Sequence, residues 1–277
     1  MQKKIGIIQS RGLGDIIIAL PIAKYHYDKG SVIYWPICEE FVSNFVDSVP
    51  WVNWISVPTD NRGQFFFETP MKALLEVGCR STDILYLYQY LSDRPDLTLP
   101  ELYNILKFDQ YKYWVSGVPF SEKWKLSECI KRDYVREAEL RKQLAITGEY
   151  AVTHLTGSNC KVEVNDSWAG GMRCIHIEDY ETDSIFDWLG VLEDATKILA
   201  IDSVVANLVD SMQIGRDNYW IRRSSWDLTP VLGGSWKIVP TSLPIEEVVR
   251  IDPLKAALAM KRPEVKYPTS FMDTLKK

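Results

Sequence analysis

Short apolar runs alternate with segments of helical period through the first half of the chain, and this alternation restricts the fold more than any other feature. IGIIQS (5–10), VIYWPIC (32–38), VNWISVP (52–58) and DILYLYQY (83–90) read as strands. DIIIALPIAKYHYDKG (15–30), EEFVSNFVDSV (39–49), residues 69–78 and, opened by Thr98 and Pro100, residues 98–108 read as helices. Strands separated by helices of about 10–15 residues are βαβ units, whose right-handed crossovers make a parallel sheet. The second half repeats the rhythm, with strands at 149–157, 173–179, 197–203 and 218–224 and helices at 184–195 and 204–212. Glu178, Asp179 or Thr182 is placed to cap the first of these helices and Ser203 the second. Residues 243–260 read as a further helix, against which Pro253 argues for a break. Between the halves, residues 111–133 show no clean period and REAELRKQL (136–144) is a charged helix. The expected fold class is α/β: a doubly wound domain over 1–133, a linker helix within 134–148, and a second α/β domain over 149–277.

At 277 residues the chain is long enough for two such cores, and 46% apolar with 25% charged residues is the composition of a folded, soluble protein. No apolar run approaches the roughly 18 residues that cross a bilayer, and MQKKIGIIQS enters a strand without a signal-peptide core, so the expectation is a cytoplasmic protein without stable membrane insertion. Cys38, Cys79, Cys129, Cys160 and Cys174 are odd in number, widely spaced and without a CxxC pair, which suggests neither a disulfide framework nor a zinc site. HxxxH, HExxH and DxD are absent too, and no metal is expected; His154 and His176 read as sheet histidines and His26 as one on a helix face. A net charge of −5 without a basic block argues against a long nucleic-acid footprint. Ten tryptophans and fourteen tyrosines read mostly as core anchors, although such rings also stack on sugars and bases.

Chemistry is expected first at QSRGLGDIIIALP (9–21), because open α/β sheets bind ligands at the carboxyl ends of their strands. GLGD is neither the dinucleotide fingerprint GxGxxG nor a P-loop, which would end in Lys-Ser/Thr. What remains is Asp15 in the first turn of a helix, where the macrodipole favours a carboxylate. A carboxylate so placed either caps the helix or accepts a proton from a bound hydroxyl.

IGIIQSRGLGDIIIALPIAKYHYDKG resembles the opening of the heptosyltransferases and their relatives in glycosyltransferase family nine, in which a strand, a small-residue turn ending in Gly-Asp, and a helix with an Ala/Leu-Pro step follow one another. Gly14, Asp15, Leu20 and Pro21 are the matching residues. TKILAIDSVVANLVDSM (196–212) resembles the donor-side segment of that family, a strand ending in Asp-Ser/Thr before a short helix. Asp202 and Ser203 fit, whereas Val204 and Asn207 stand where the family has glycine and histidine. In HLTGSNCKVEV (154–164), Thr156, Gly157, Ser158 and Lys161 are the counterparts of a turn near the donor phosphates.

The resemblance implies two Rossmann-like domains facing across a cleft, the GT-B arrangement, and an inverting, metal-independent transfer from a nucleotide-diphosphate sugar, which is co-substrate rather than cofactor. It makes Asp15 the catalytic base, with Arg11, Gly12 and Gly14 beside it as substrate-binding residues. Thr156, Gly157, Ser158, Lys161, Asp202, Ser203, Val204 and Asn207 fall on the donor side, where backbone amides at a helix start and a lysine suit diphosphate oxygens. Two acceptors stay open, a surface glycan and a modified base in phage DNA, the second requiring base flipping or distortion. A nucleotide-sugar-binding module without turnover and a Rossmann oxidoreductase are the competing readings, and the sequence leaves the oligomeric state open.

Overall fold

The computed structural model describes residues 2–59, 66–91, 95–103, 105–157, 161–222, 229–234, 236–240 and 249–251. The chain divides into two compact units, the first ending at Lys131 and the second beginning at Arg132.

In the first unit β1 (Lys4–Ile8) leads into α1 (Leu13–Asp28), followed by β2 (Val32–Cys38), α2 (Glu39–Phe45), β3 (Val52–Val57), α3 (Glu68–Glu76) and β4 (Ile84–Tyr86). The four strands form one parallel sheet in the order β3-β2-β1-β4, as βαβ units with right-handed crossovers require. Ile16 to Ala23 are buried without interruption, so α1 is an interior helix rather than an amphipathic one. Gly6 lets α3 approach the sheet: a Cβ there would stand 2.9 Å from a Leu74 methyl and 3.2 Å from Ile84.

The expected helix at 98–108 is not formed. Pro95 and Pro100 each open a single 3-10 turn, the Tyr103 hydroxyl donates to Thr98 Oγ1 (2.6 Å), and regular helix begins only at α4 (Phe108–Ser116). There Gln110 Oε1 accepts the Lys107 backbone N–H (3.1 Å), and Gly117, at φ +66°, ends the helix. Thus α4 and the 3-10 segment Phe120–Glu128 occupy the stretch that shows no clean period. Aromatic and charged residues interleave there because several charges point inward: Lys123 pairs with Asp109 at 2.9 Å, both fully buried.

The second unit opens with α5 (Tyr134–Gln143), whose N-cap Asp133 accepts from the Val135 and Arg136 amides. It continues through β5 (Tyr150–His154), β6 (Val162–Val164), β7 (Arg173–His176), α6 (Leu189–Asp194), β8 (Lys197–Ile201), α7 (Val204–Met212), β9 (Asp217–Arg222), β10 (Lys237–Pro240) and β11 (Val249–Ile251). Five strands make a second parallel sheet in the order β10-β9-β8-β5-β7, and β11 pairs with β6 separately. The segment expected as a linker packs on this unit, with Arg141 bonded to Asp194 at 2.6 Å and the preceding Arg132 to Glu193 at 2.8 Å.

Three local expectations change. The helix expected at 184–195 is a 3-10 turn, Ile185–Trp188, running into α6, and its cap is Ser184, whose hydroxyl accepts the Phe186 amide at 3.2 Å. Of the helix expected at 243–260, the described residues Val249–Ile251 are strand, paired in parallel register with Val162–Val164; the remainder lies outside the described residues. Ser203 occupies the N-cap position of α7 without a capping side-chain bond. No helix among the described residues is long and apolar enough to cross a membrane.

Candidate functional site

The carboxyl end of β1 carries the first group of residues. Gly12 stands at the N-cap position of α1 with φ +84° and leaves room for the side chain that follows: a Cβ on it would lie 2.6 Å from Asp15 Oδ2. Gly14 is the second residue of α1 and Asp15 the third. No side chain caps this helix, so the capping expectation for Asp15 is not met. Its Oδ1 instead lies 3.0 Å from Nζ of Lys112, which projects from α4 with only 3% of its side chain exposed, against 38% for Asp15. The same ammonium donates to Gln9 Oε1 at 2.6 Å and to the Leu87 carbonyl at 3.1 Å. All three donors of a lysine are thereby used, and Asp15 receives a cation in a position set by β1, β4 and α4.

Around this pair the turn is held on every side. The Tyr88 hydroxyl accepts the Arg11 backbone N–H (2.9 Å) and bonds Ser10 Oγ (3.1 Å), and burial raises its pKa above the ordinary tyrosine value, so it stays neutral. Gln9 Nε2 donates to the Arg11 carbonyl at 2.8 Å, and Trp35 Nε1 donates to the Gln9 carbonyl at 3.1 Å. The Arg11 side chain is exposed. Lys112, Gln9 and Tyr88 were not among the sequence-derived site residues. Their only signal is a lysine amid aromatic residues in FDQYKYWV (108–115), which becomes legible once the phase of α4 is known.

The second unit gathers the other candidates at the carboxyl ends of β5 and β8. Ser203 Oγ bonds Nδ1 of His154 at 2.8 Å. Burial lowers the pKa of that imidazole against an opposing pull from Glu178, which favours the neutral ring. Glu178, expected as a helix cap, instead accepts from the backbone amides of Leu155 and Thr156, the latter at 2.7 Å. Thr156 and Lys161 face each other across an antiparallel bridge. Both are exposed and Gly157 is half-buried; Ser158 lies outside the described residues. Asp202 is buried at the end of β8, Val204 begins α7, and Asn207 follows one turn on, 8% exposed and with Oδ1 lacking a hydrogen-bond partner. His154 is thus a polar group of this cluster, which its position in a strand did not reveal.

In class, the structure is mixed α/β with parallel sheets, a fold it shares with solved glycosyltransferase structures. A glycosyl transferase family 9 structure from Veillonella parvula matches over 86% of this chain and 86% of its own, with TM-score 0.54 and 10% sequence identity. The E. coli ADP-heptose lps heptosyltransferase II structure matches over 94% of this chain and 95% of its own, again with TM-score 0.54 and 10% identity. The fold is shared although only 10% of the aligned residues are identical. No family model matches the sequence. No curated protein sequence matches it either.

Proposed function

We propose that the protein is an inverting glycosyltransferase that moves a sugar from a nucleotide-diphosphate donor to an acceptor hydroxyl without a metal in the chemical step. The observation that carries this reading is the Asp15 carboxylate, partly open to solvent, unused as a cap and paired with the buried Lys112 at a strand-to-helix turn. Such a group accepts a proton from a hydroxyl as its oxygen attacks the anomeric carbon. Lys112 is a positioning residue in this scheme: its bonds to Gln9 and Leu87 restrict the carboxylate without occupying its second oxygen.

In this reading the first unit supplies acceptor and base and the second supplies the donor. Backbone amides at the start of α7 suit diphosphate oxygens, Lys161 adds a point charge for the leaving group, and Asn207 offers a polar group without a proton to give up. The acceptor we favour is a glycan hydroxyl: the net charge of −5 does not favour a nucleic acid, and one structure of the same fold is named for lps. Donor synthesis would place the reaction in the cytoplasm.

Thermal-shift titration with UDP-, GDP-, ADP- and CMP-sugars tests the donor class, since a ligand at 100 times its Kd adds about 2.7 kcal/mol. With the donor in hand, Asp15→Asn is expected to lower kcat about a hundredfold or more while donor affinity changes little. Donor binding with no transfer by the wild-type chain to any glycan would leave a binding module instead, and stabilisation by NAD(P)H alone would overturn the proposal.

A further inference from the structure

A second chemical cluster lies in the second unit, on the edge strand of its sheet, and takes no part in the scheme above. Cys174 and His176 are two apart on β7 and therefore share a face. Asp166 reaches the same place from the 3-10 turn Asp166–Ala169, and one ligand atom from each of the three residues lies within 4.8 Å of the others. From these residues we infer that the protein binds one zinc-type divalent cation between Asp166, Cys174 and His176, with a fourth position left to water.

The spacing suits a tetrahedral ion. Two oxygen or nitrogen ligands at about 2.0–2.1 Å from zinc stand about 3.4 Å apart, and His176 Nε2 is 3.5 Å from Asp166 Oδ1. A thiolate ligand at about 2.3 Å needs separations near 3.6 Å, so closing the cluster takes a movement of about 1 Å. The outer contacts also suit a metal site. Thr153, opposite His176 in the β5–β7 register and fully buried, bonds Nδ1 at 2.7 Å and so orients the ring with Nε2 toward Asp166. The Trp168 indole, 2% exposed and in the core cluster that Cys174 packs against, has an Nε1–H without a hydrogen-bond acceptor among the described residues.

One aspartate, one thiolate and one neutral imidazole carry two negative charges, which a divalent ion neutralises. The Cys174 thiol gives up its proton as the metal enters. The bound ion would tie the segment that follows β6 to the sheet edge.

The test uses the full chain, stripped with a chelator and titrated with Zn2+ and, separately, with Co2+. The expected result is one equivalent of zinc per chain, a rise in thermal midpoint, and a thiolate-to-cobalt charge-transfer band with tetrahedral visible bands. Cys174→Ser should remove the charge-transfer band and Cys79→Ser should keep it. Thr153→Val should weaken binding roughly 10–100-fold through loss of the ring's orientation. If Cys174→Ser does not fold, Asp166→Asn at an exposed position replaces it and should lower affinity at least tenfold. Absence of the band in the wild-type chain, or its persistence in Cys174→Ser, overturns the assignment, as does unchanged affinity in Asp166→Asn.

Discussion

Replacing Lys112 with methionine tests whether the β1–α1 turn is organised as described. Methionine matches the length of the aliphatic stem but donates nothing, so Gln9 Oε1 and the Leu87 carbonyl lose their donor in a buried setting. Each unsatisfied acceptor costs about 1–3 kcal/mol. Loss of attraction to Asp15 adds less, about 1 kcal/mol at most, because that carboxylate is 38% exposed and water replaces part of the pairing. The desolvation of the ammonium is recovered in the variant and offsets some of this. A net loss of about 2–4 kcal/mol follows, equivalent to a fall in Tm of roughly 5–15 °C for a domain of this size. Equilibrium urea denaturation of wild type, Lys112→Met, Asp15→Asn and the double variant measures it. The two substitutions should couple by about 0.5–3 kcal/mol, since the residues share one ion pair. A Lys112→Met variant within about 0.5 kcal/mol of wild type would refute the reasoning, as would strict additivity in the cycle.

Two further outcomes follow from buried charge. Lys123→Met removes the buried cation beside the Asp109 carboxyl in the core of the first unit and should cost about 3–5 kcal/mol, read from the same denaturation curves; a loss below about 1 kcal/mol would mean that the pair is not isolated from water. Burial lowers the pKa of His26 and of His154, so between the folded values and about 6.5 the unfolded chain binds more protons than the native one. Stability should therefore fall as pH drops through that window, by at most about 1.4 kcal/mol per pH unit per histidine, and be fully retained above it. Denaturation midpoints at about pH 7.5 and 5.5 measure the slope, which His154→Asn should reduce; a midpoint that rises on acidification would contradict the burial of both rings.

The sequence by itself was enough to place β1, α1, β2, α2, β3, β5, β8 and α7, because their apolar residues follow the period of a strand or a helix without competition. Ile16–Ala23 and Lys197–Ile201 are apolar enough that no tertiary partner changes their state. Asp15 was likewise visible at its turn, since a carboxylate after Gly-Leu-Gly stands out in the chain. Segments whose state depends on a distant partner were not legible. Residues 98–128 mix aromatic and charged residues, and their helix begins at Phe108 where the backbone amide of Lys107 finds the Gln110 side chain. Val249–Ile251 is a strand because β6, more than 80 residues earlier, lies beside it.

The same division runs through the candidate site. Local spacing identified Gly12, Gly14, Asp15 and Ser203 as residues at strand-to-helix turns, because turn and helix-start chemistry acts over a few positions. Their partners depend on tertiary structure alone. Lys112 meets Asp15 across 97 positions, and Ser203 turns from its helix to His154, 49 positions away. A buried lysine and a half-buried strand histidine carry no periodic signal, and their roles appear only when packing limits water and leaves each donor one acceptor within reach.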